Sequence, residues 1–203
     1  MYLQLDHDYP ELWKLAAVAQ RIKGGALGVV PTDSVYAFVC DPENKGATER
    51  LYRLKEMDPK KPLSILCRDI AMVSVYTRGF PNTVFRAARR CLPGPYTFIL
   101  PVTSGFPRHL LGKRREVGVR VPADPVCQAL LEDLDRPLLA SSVRTVDDRY
   151  WTSPAEIDDE FGSRIDFVVD GGERVGAPST VIDLTGDDPV VLRHGQGDAS
   201  LFE

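Results

Sequence analysis

The chain has no apolar run near the roughly 18 to 20 residues that a membrane-spanning helix needs. It also shows no basic-then-apolar leader at its N-terminus. Metal-binding patterns are equally scarce, because the three histidines are scattered and the four cysteines lie 27, 24 and 36 positions apart with no Cys-x-x-Cys pair. These absences argue against a membrane protein and a structural zinc site. They predict a cytoplasmic protein whose cysteines are buried, reduced thiols.

The nucleotide-binding signatures that can be recognised from sequence are missing as well. There is no Gly-x-x-x-x-Gly-Lys-Ser/Thr loop and no Gly-x-Gly-x-x-Gly between a strand and a helix. Gly195-Gln196-Gly197 follows a terminal strand, with no helix behind it. A Gly-x-Ser-x-Gly nucleophile elbow is also absent. Nucleotide or acyl chemistry, if present, must therefore use another arrangement of residues.

Strand and helix patterns alternate along most of the 203 residues, of which 43% are hydrophobic. This alternation predicts a single α/β domain over residues 1–203, with a core at about 10–198 and a sheet covered by helices. The link Thr185–Pro189 is too short for a helical crossover, so antiparallel pairs are expected near the C-terminus and the sheet should be mixed.

Several helix boundaries can be predicted from local side chains. Asp8 and Glu11 have capping-box spacing before an apolar pattern that ends at Gly24. Asn44 is placed to cap a helix that runs through Lys55, and Ser153 has the same capping-box pattern as Asp8.

Charge is distributed unevenly between the two parts of the chain. Residues 1–120 hold 19 lysines and arginines against 11 acidic residues, whereas residues 121–203 hold 6 against 18. A basic half is typical of proteins that contact phosphates or nucleic acid. A solvated charged surface explains the basic clusters about as well.

Residues 29–36 form a polar corner between two apolar strand patterns. Pro31 must break or turn the strand ladder, and Thr32, Asp33 and Ser34 follow it with two hydroxyls and a carboxylate. These groups could recognise a small polar ligand. By themselves they are more typical of a turn in which the side chains bond to the local backbone.

Polar residues also occur at or near the ends of several other predicted strands. Arg120 is unusual because it lies between Val119 and Val121, inside a strand pattern. Burying a guanidinium is costly unless it meets an anion, so Arg120 indicates an anionic ligand. An edge strand that exposes Arg120 to water is the alternative.

A series of motifs is spread over about residues 10–203. The first, Val30-Pro31-Thr32-Asp33-Ser34-Val35-Tyr36, is similar to Pro-Thr-Asp/Glu-Thr-Val-Tyr, which is the signature of the YrdC/YciO family. The other matches, in family order, are Leu54-Lys55, Lys61-Pro62-Leu63, Pro93-Gly94-Pro95-Tyr96-Thr97, Val119-Arg120-Val121-Pro122, Pro178-Ser179-Thr180-Val181-Ile182-Asp183 and Leu192-Arg193-x-Gly195. Phe38-Val39-Cys40 and the closing Gly195-Gln196-Gly197-Asp198 look most like the YciO branch.

The resemblance implies a twisted sheet around a concave, basic cavity and the activity of an L-threonylcarbamoyladenylate synthase. Such an enzyme uses threonine, bicarbonate and ATP with Mg²⁺, and its product serves the modification of an adenosine in tRNA. The site residues that it implies are Thr32, Arg120 and Ser179 for threonine and Lys55, Ser142 and Arg193 for ATP. Lys55 and Arg120 would be the catalytic residues. No protein-bound metal is implied, since Mg²⁺ would be held by the ATP phosphates.

Two departures from the enzyme branches of the family fall on the implied nucleotide side. Met57 stands where a Lys-x-Arg motif has its arginine, and Arg144 stands where a Ser-x-Asn motif has its asparagine. Two hypotheses therefore remain. One is the synthase or a close relative with an altered substrate, and the other is a protein that binds double-stranded RNA or tRNA without that activity.

Overall fold

The structure is a computed structural model that describes residues 1–58, 61, 63–111, 115–145, 147, 149–174 and 176–203. In these ranges there are ten strands: β1 (Tyr2–Gln4), β2 (Gly28–Val30), β3 (Ala37–Cys40), β4 (Ser64–Leu66), β5 (Tyr96–Pro101), β6 (Glu116–Arg120), β7 (Leu138–Ser142), β8 (Phe167–Asp170), β9 (Thr180–Asp183) and β10 (Val190–Arg193). The α-helices are α1 (Leu12–Lys23), α2 (Lys45–Leu54), α3 (Ile70–Tyr76), α4 (Asn82–Cys91), α5 (Pro125–Leu134) and α6 (Pro154–Phe161). Short 3₁₀ helices span Arg108–Leu110 and Ala199–Leu201. Pro62 of the Lys61-Pro62-Leu63 motif lies outside the described residues.

All ten strands join one sheet in the order β1-β8-β2-β3-β7-β4-β6-β5-β9-β10. Four neighbouring pairs are parallel, namely β1 with β8, β8 with β2, β4 with β6 and β5 with β9. The other pairs are antiparallel, including the C-terminal pair of β9 and β10. The predicted α/β class with a mixed sheet is therefore confirmed.

Most helix starts follow the local side chains. The Asn44 side chain accepts a hydrogen bond from Ala47 N at 2.9 Å, and Ser153 Oγ accepts one from Glu156 N at 3.4 Å. The predicted cap at Asp8 is wrong, because α1 begins at Leu12 without a side-chain cap. Asp6 Oδ1 instead accepts from the N–H groups of residues 8 and 9, which holds that segment in a turn before the helix.

Two apolar layers lie on opposite faces of the sheet, because side chains alternate along each strand. One layer packs strand residues such as Phe38, Ile65 and Phe98 against α2, α3, α4 and α6. The other layer packs Val39, Leu138 and their neighbours against α1 and α5. The second layer includes no residue from β5, β6, β9 or β10.

Helices α1 and α5 thus cover only one half of their face of the sheet. The other half, formed by β5, β6, β9 and β10, provides the floor of a cavity together with residues of β4 and β7. All four cysteines are free and buried, as predicted. In the described ranges no helix is long and apolar enough to cross a membrane.

Candidate functional site

The cavity over the uncovered half of the sheet has a volume of about 970 Å³. Its floor consists of side chains that alternate along the strands, including Thr97 and Ile99 of β5 and Gly118 and Arg120 of β6. Position 118 requires glycine, since a Cβ atom there would lie 2.6 Å from Ser64 Oγ. The rim is formed by the end of α2, residues that follow β7, and α6.

Charged side chains of both signs line the cavity. The basic ones are Lys55, Lys61, Arg120, Arg144, Arg164 and Arg193, and the acidic ones are Glu56, Glu116, Asp147 and Glu160. Among the described residues that line the cavity, positive charges therefore outnumber negative charges by only two. The basic cavity implied by the resemblance stays a prediction.

Arg120 is buried in the interior of the sheet, and its partner is a carboxylate of the same chain. Its Nη2 donates to Asp33 Oδ1 at 2.6 Å, and the two side chains are 8% and 10% exposed. Asp33 Oδ2 also accepts from Ala123 N at 3.1 Å. The alternative of an edge-strand arginine in water is therefore wrong. The anion that Arg120 requires is supplied at least in part by Asp33, while Arg120 Nε is buried with no hydrogen-bond partner.

Thr32 does not reach the cavity. Its side chain is fully buried, and Oγ1 donates to Val35 O at 2.7 Å while accepting from the N–H groups of Ser34 and Val35. These are the turn contacts that the corner suggests when it is considered by itself. The corner residue that reaches Arg120 is Asp33. The predicted contact of Thr32 with threonine stays a prediction.

The corner is held in place by a residue that the sequence did not single out. Arg174 Nε donates to Thr32 O at 3.1 Å, and Nη2 donates to Asp124 Oδ2 at 3.0 Å. Nothing in the sequence around Arg174 marks it as a partner of Asp124 or Thr32, which lie 50 and 142 positions earlier in the chain. The corner is therefore braced by the segment that follows β8 and by the start of α5.

Ser179 and Arg193 form one polar cluster at the β9–β10 end of the floor, and Thr97 joins them. Arg193 donates to Ser179 O through Nε and Nη2, at 3.1 and 2.8 Å, and Nη2 also approaches Ser179 Oγ at 3.2 Å. The hydroxyls of Ser179 and Thr97 lie 2.7 Å apart. Thr97 ends the family motif Pro93-Gly94-Pro95-Tyr96-Thr97, but only its position on the cavity floor identifies it as a site residue.

Burial lowers the pKa of Arg193, and the nearby guanidiniums of Arg144 and Arg120 lower it further. The hydrogen bonds of Arg193 are all to neutral oxygens of Ser179, and within the described residues no carboxylate pairs with it. A partly buried cation in this setting is stabilised by an anion that enters the cavity. Arg193 is thus a stronger indication of an anionic ligand than Arg120.

Lys55 and Ser142 meet on the opposite side of the cavity. Lys55 Nζ donates to the carbonyl oxygen of Ser142 at 2.5 Å and lies 5.9 Å from the centre of the Phe38 ring. Arg144, two residues further along, donates to Tyr150 Oη at 2.9 Å and stacks over that ring at 4.8 Å. Met57 and Arg144 both line the cavity, so the two departures from the family motifs fall in the site itself.

Three aromatic side chains line the same side. Trp151 packs edge-on against Phe161 with ring centres 6.3 Å apart, and Phe161 packs edge-on against Phe38 at 5.1 Å. The indole Nε1 of Trp151 is buried and has no hydrogen-bond partner. The structure therefore places Lys55, Ser142, Arg120, Ser179 and Arg193 around one cavity and adds an aromatic wall that the sequence did not predict.

No group of three or more His, Cys, Asp or Glu side chains that could hold a metal ion occurs in the described part of the chain. The acidic residues of the cavity are spread along its lining.

A family model named for Sua5, YciO and YrdC, and described as telomere recombination, matches residues 20–195. The chain is 38% identical over 203 residues to the uncharacterized protein YciO of Escherichia coli K12, and the match covers 99% of this chain and 98% of that protein. The crystal structure of E. coli YciO superposes with a TM-score of 0.93 at 37% identity, covering 100% of this chain and 99% of that one.

Other similar proteins carry the name threonylcarbamoyl-AMP synthase. The one from Pyrococcus abyssi is 34% identical over 91% of this chain and 55% of its own length, and the one from Marinobacter nauticus is 31% identical over 88% and 95%. The crystal structure of P. abyssi Sua5 complexed with L-threonine superposes with a TM-score of 0.89 at 32% identity, covering 96% of this chain and 57% of that one.

Proposed function

The chain belongs to the Sua5/YciO/YrdC family, as its motifs predict, and from this premise we propose that its cavity binds ATP and threonine and forms threonylcarbamoyl-AMP. Relatives with that enzyme name and a family structure with L-threonine support the proposal. The product would serve the modification of an adenosine in tRNA.

The proposed reaction joins three anionic or polar reactants. The amine of threonine adds to bicarbonate with loss of water, which gives a carbamate. A carbamate oxygen then bonds to the α-phosphorus of ATP, while the bond from this phosphorus to the bridging oxygen breaks and pyrophosphate leaves. The task of the protein is to hold these groups together and to offset their charge.

Each side of the cavity suits a different part of this task. Lys55 and Ser142 lie beside the aromatic wall and are assigned to ATP, together with Arg193. Ser179 and Arg120 are assigned to threonine, and the unpartnered Nε of Arg120 is a donor for its carboxylate. Because Arg193 bonds to Ser179, the two substrates would meet at this contact.

The observation that carries the proposal is Arg193, a partly buried cation on the cavity floor whose contacts are all neutral. Met57 and Arg144 argue for a slower reaction than in the named enzymes, because the family arginine and asparagine are missing. At about 1.5–3 kcal/mol for each charge-assisted hydrogen bond, two lost contacts correspond to a rate loss on the order of a hundredfold or more.

The test is to incubate the protein with ATP, threonine, bicarbonate and Mg²⁺ and to measure pyrophosphate and threonylcarbamoyl-AMP. We expect Arg193→Ala to reduce product formation by about 10- to 150-fold, since it removes a charged donor. Arg21→Ala is the matched control, because Arg21 is exposed in the last turn of α1 and is not among the residues that line the cavity. Absence of the product from the unchanged protein, or equal rates in both variants, would contradict the proposal.

RNA binding is a second candidate, supported by one surface feature. Helix α4 exposes Arg86, Arg89 and Arg90 and contains no acidic residue. If these residues contact phosphates, the affinity for duplex RNA should fall steeply with salt, and replacing all three by alanine should flatten the slope of log affinity against log salt by about two to three units. A slope that is the same in both proteins would exclude this surface.

A further inference from the structure

The start of helix α1 exposes a large amount of apolar surface. In the described part of the chain the three most exposed large hydrophobic side chains are Tyr9 at 83%, Trp13 at 74% and Leu12 at 67%, and they lie within five positions of one another. Single exposed apolar residues are normal on a protein surface. A contiguous group that contains Trp and Tyr is instead typical of a protein–protein interface.

This apolar group continues along the outward side of α1. The inward side of the helix is buried against the sheet and α5. The residues of the outward side are all uncharged, namely Trp13, Ala16, Ala17 and Gln20. A helix on a protein surface normally has charged and polar residues opposite its core side. The outward side of α1 therefore has the composition of a surface that is covered by a partner.

Charges of opposite sign lie at the two ends of this side. The segment before the helix contains Asp6, Asp8 and Glu11 and no lysine or arginine. The last turn of α1 is basic and contains no acidic residue. Its Lys23 lies three helical turns after Leu12 and therefore on the same flank. Two such helices packed antiparallel would place the acidic end of each beside the basic end of the other.

The exposed apolar area is large enough for a small interface. A large aromatic side chain buries about 150–250 Å², so Tyr9 and Trp13 supply about 300–500 Å² in one copy and about twice that area in a two-fold dimer. With Leu12 and the two alanines the total reaches about 1,000 Å², the area of a small specific interface.

We propose that the outward side of α1 is a self-association surface, on which a second copy of this chain packs with its own α1 antiparallel about a two-fold axis. Ala16 and Ala17 lie at the middle of the contact, where small side chains let two helices approach closely. Trp13 of each copy packs over Ala17 and Gln20 of the other. No residue of α1 is among the described residues that line the cavity, so the inference does not depend on the proposed reaction.

Sedimentation equilibrium measures this association directly. The average mass should rise from 22.5 kDa towards twice that value as the protein concentration rises to about 100 μM, where a complex with a micromolar Kd is mostly formed. A chain that stays monomeric at every concentration would overturn the inference.

Substitution of an exposed apolar residue tests which surface is used. Trp13→Glu should raise the Kd of the dimer at least about 30-fold, because each dimer loses a central tryptophan twice. Val75→Glu is the matched control, since Val75 is 61% exposed on α3, at the other face of the sheet. It should leave the Kd unchanged. Equal Kd values in the two variants would refute the assignment of the surface to α1.

Charge reversal tests the antiparallel arrangement and does not depend on how well a Trp13 variant folds. Asp8→Lys and Lys23→Glu should each raise the Kd about 2- to 30-fold, because like charges then face each other twice in the dimer. The double variant should restore the Kd of the unchanged protein. Within one chain these residues lie at opposite ends of a helix about 18 Å long, so restoration requires contact between two copies. Losses that add in the double variant would overturn the inference.

Discussion

The ion pair between Asp33 and Arg120 joins the family signature to the cavity floor, and replacing Asp33 by alanine should be strongly destabilising. The pair has an O–N distance of 2.6 Å, and both side chains are at most 10% exposed. Solvent screening is therefore small. Removing one member of a buried pair leaves an uncompensated charge and typically costs about 3–5 kcal/mol.

The expected loss for Asp33→Ala lies in this range, and Ala123 N–H also loses its acceptor. The double variant Asp33→Ala with Arg120→Met should be more stable than Asp33→Ala by more than about 1 kcal/mol, because an apolar side chain then replaces the unpaired guanidinium. Urea unfolding at equilibrium measures these differences, provided that the m value is unchanged.

An exposed ion pair serves as the control. Arg164 and Glu160 lie 2.9 Å apart one helical turn from each other, but their side chains are 47% and 51% exposed. Glu160→Ala should therefore change the unfolding free energy by no more than about 0.5 kcal/mol. A loss of less than about 1 kcal/mol of unfolding free energy in Asp33→Ala would contradict this reasoning. So would a double variant whose loss equals the sum of the losses of Asp33→Ala and Arg120→Met.

Three further predictions concern packing, thiols and pH. Gly28→Ala should destabilise the protein by about 1–3 kcal/mol in urea unfolding, because the new Cβ atom would lie 2.5 Å from ring carbons of Phe167. Burial raises the pKa of Cys40 to about 12 and also raises that of Cys67. At pH 8 a disulfide reagent should therefore react with the four thiols only after the protein is denatured. Fast reaction of the native protein would contradict this prediction. A hydrogen bond from Met72 N–H is the main cause of the lowered pKa of Asp69, the cap of α3. The ionised Asp69 cap stabilises the fold fully above its unfolded pKa of about 4, and this stabilisation is lost as pH falls through the lower pKa of the folded state. Asp69→Ala should therefore destabilise the protein by about 1 kcal/mol at pH 7 and by less towards pH 2.

The family motifs in the sequence predict most of the polar residues that line the cavity. Lys55, Ser142, Ser179 and Arg193 are predicted from them, and all four line the cavity. Their roles towards ATP and threonine stay predictions. Trp151 could not be found in this way, because an aromatic residue is usually part of a core and only the unmet N–H group marks it.

The sequence by itself determined the features that depend on near neighbours. Asn44 and Ser153 start helices through hydrogen bonds that span three residues, and the alternation of strands and helices set the α/β class. Such contacts depend on side chains only three residues apart, although the same spacing at Asp8 did not give a cap. The strand β1 escaped prediction because its three residues are mostly exposed and it is recognised only by its pairing with β8.

Only the tertiary structure decided which polar residues share a site and which serve the fold. Asp33 meets Arg120 across 87 positions, and Arg174 meets Thr32 across 142. These contacts depend on the order of ten strands and on which half of the sheet the helices leave uncovered. Thr32 turned inward to hold the corner and Asp33 turned towards Arg120, because a side chain bonds to whatever partner the folded chain brings within about 3 Å.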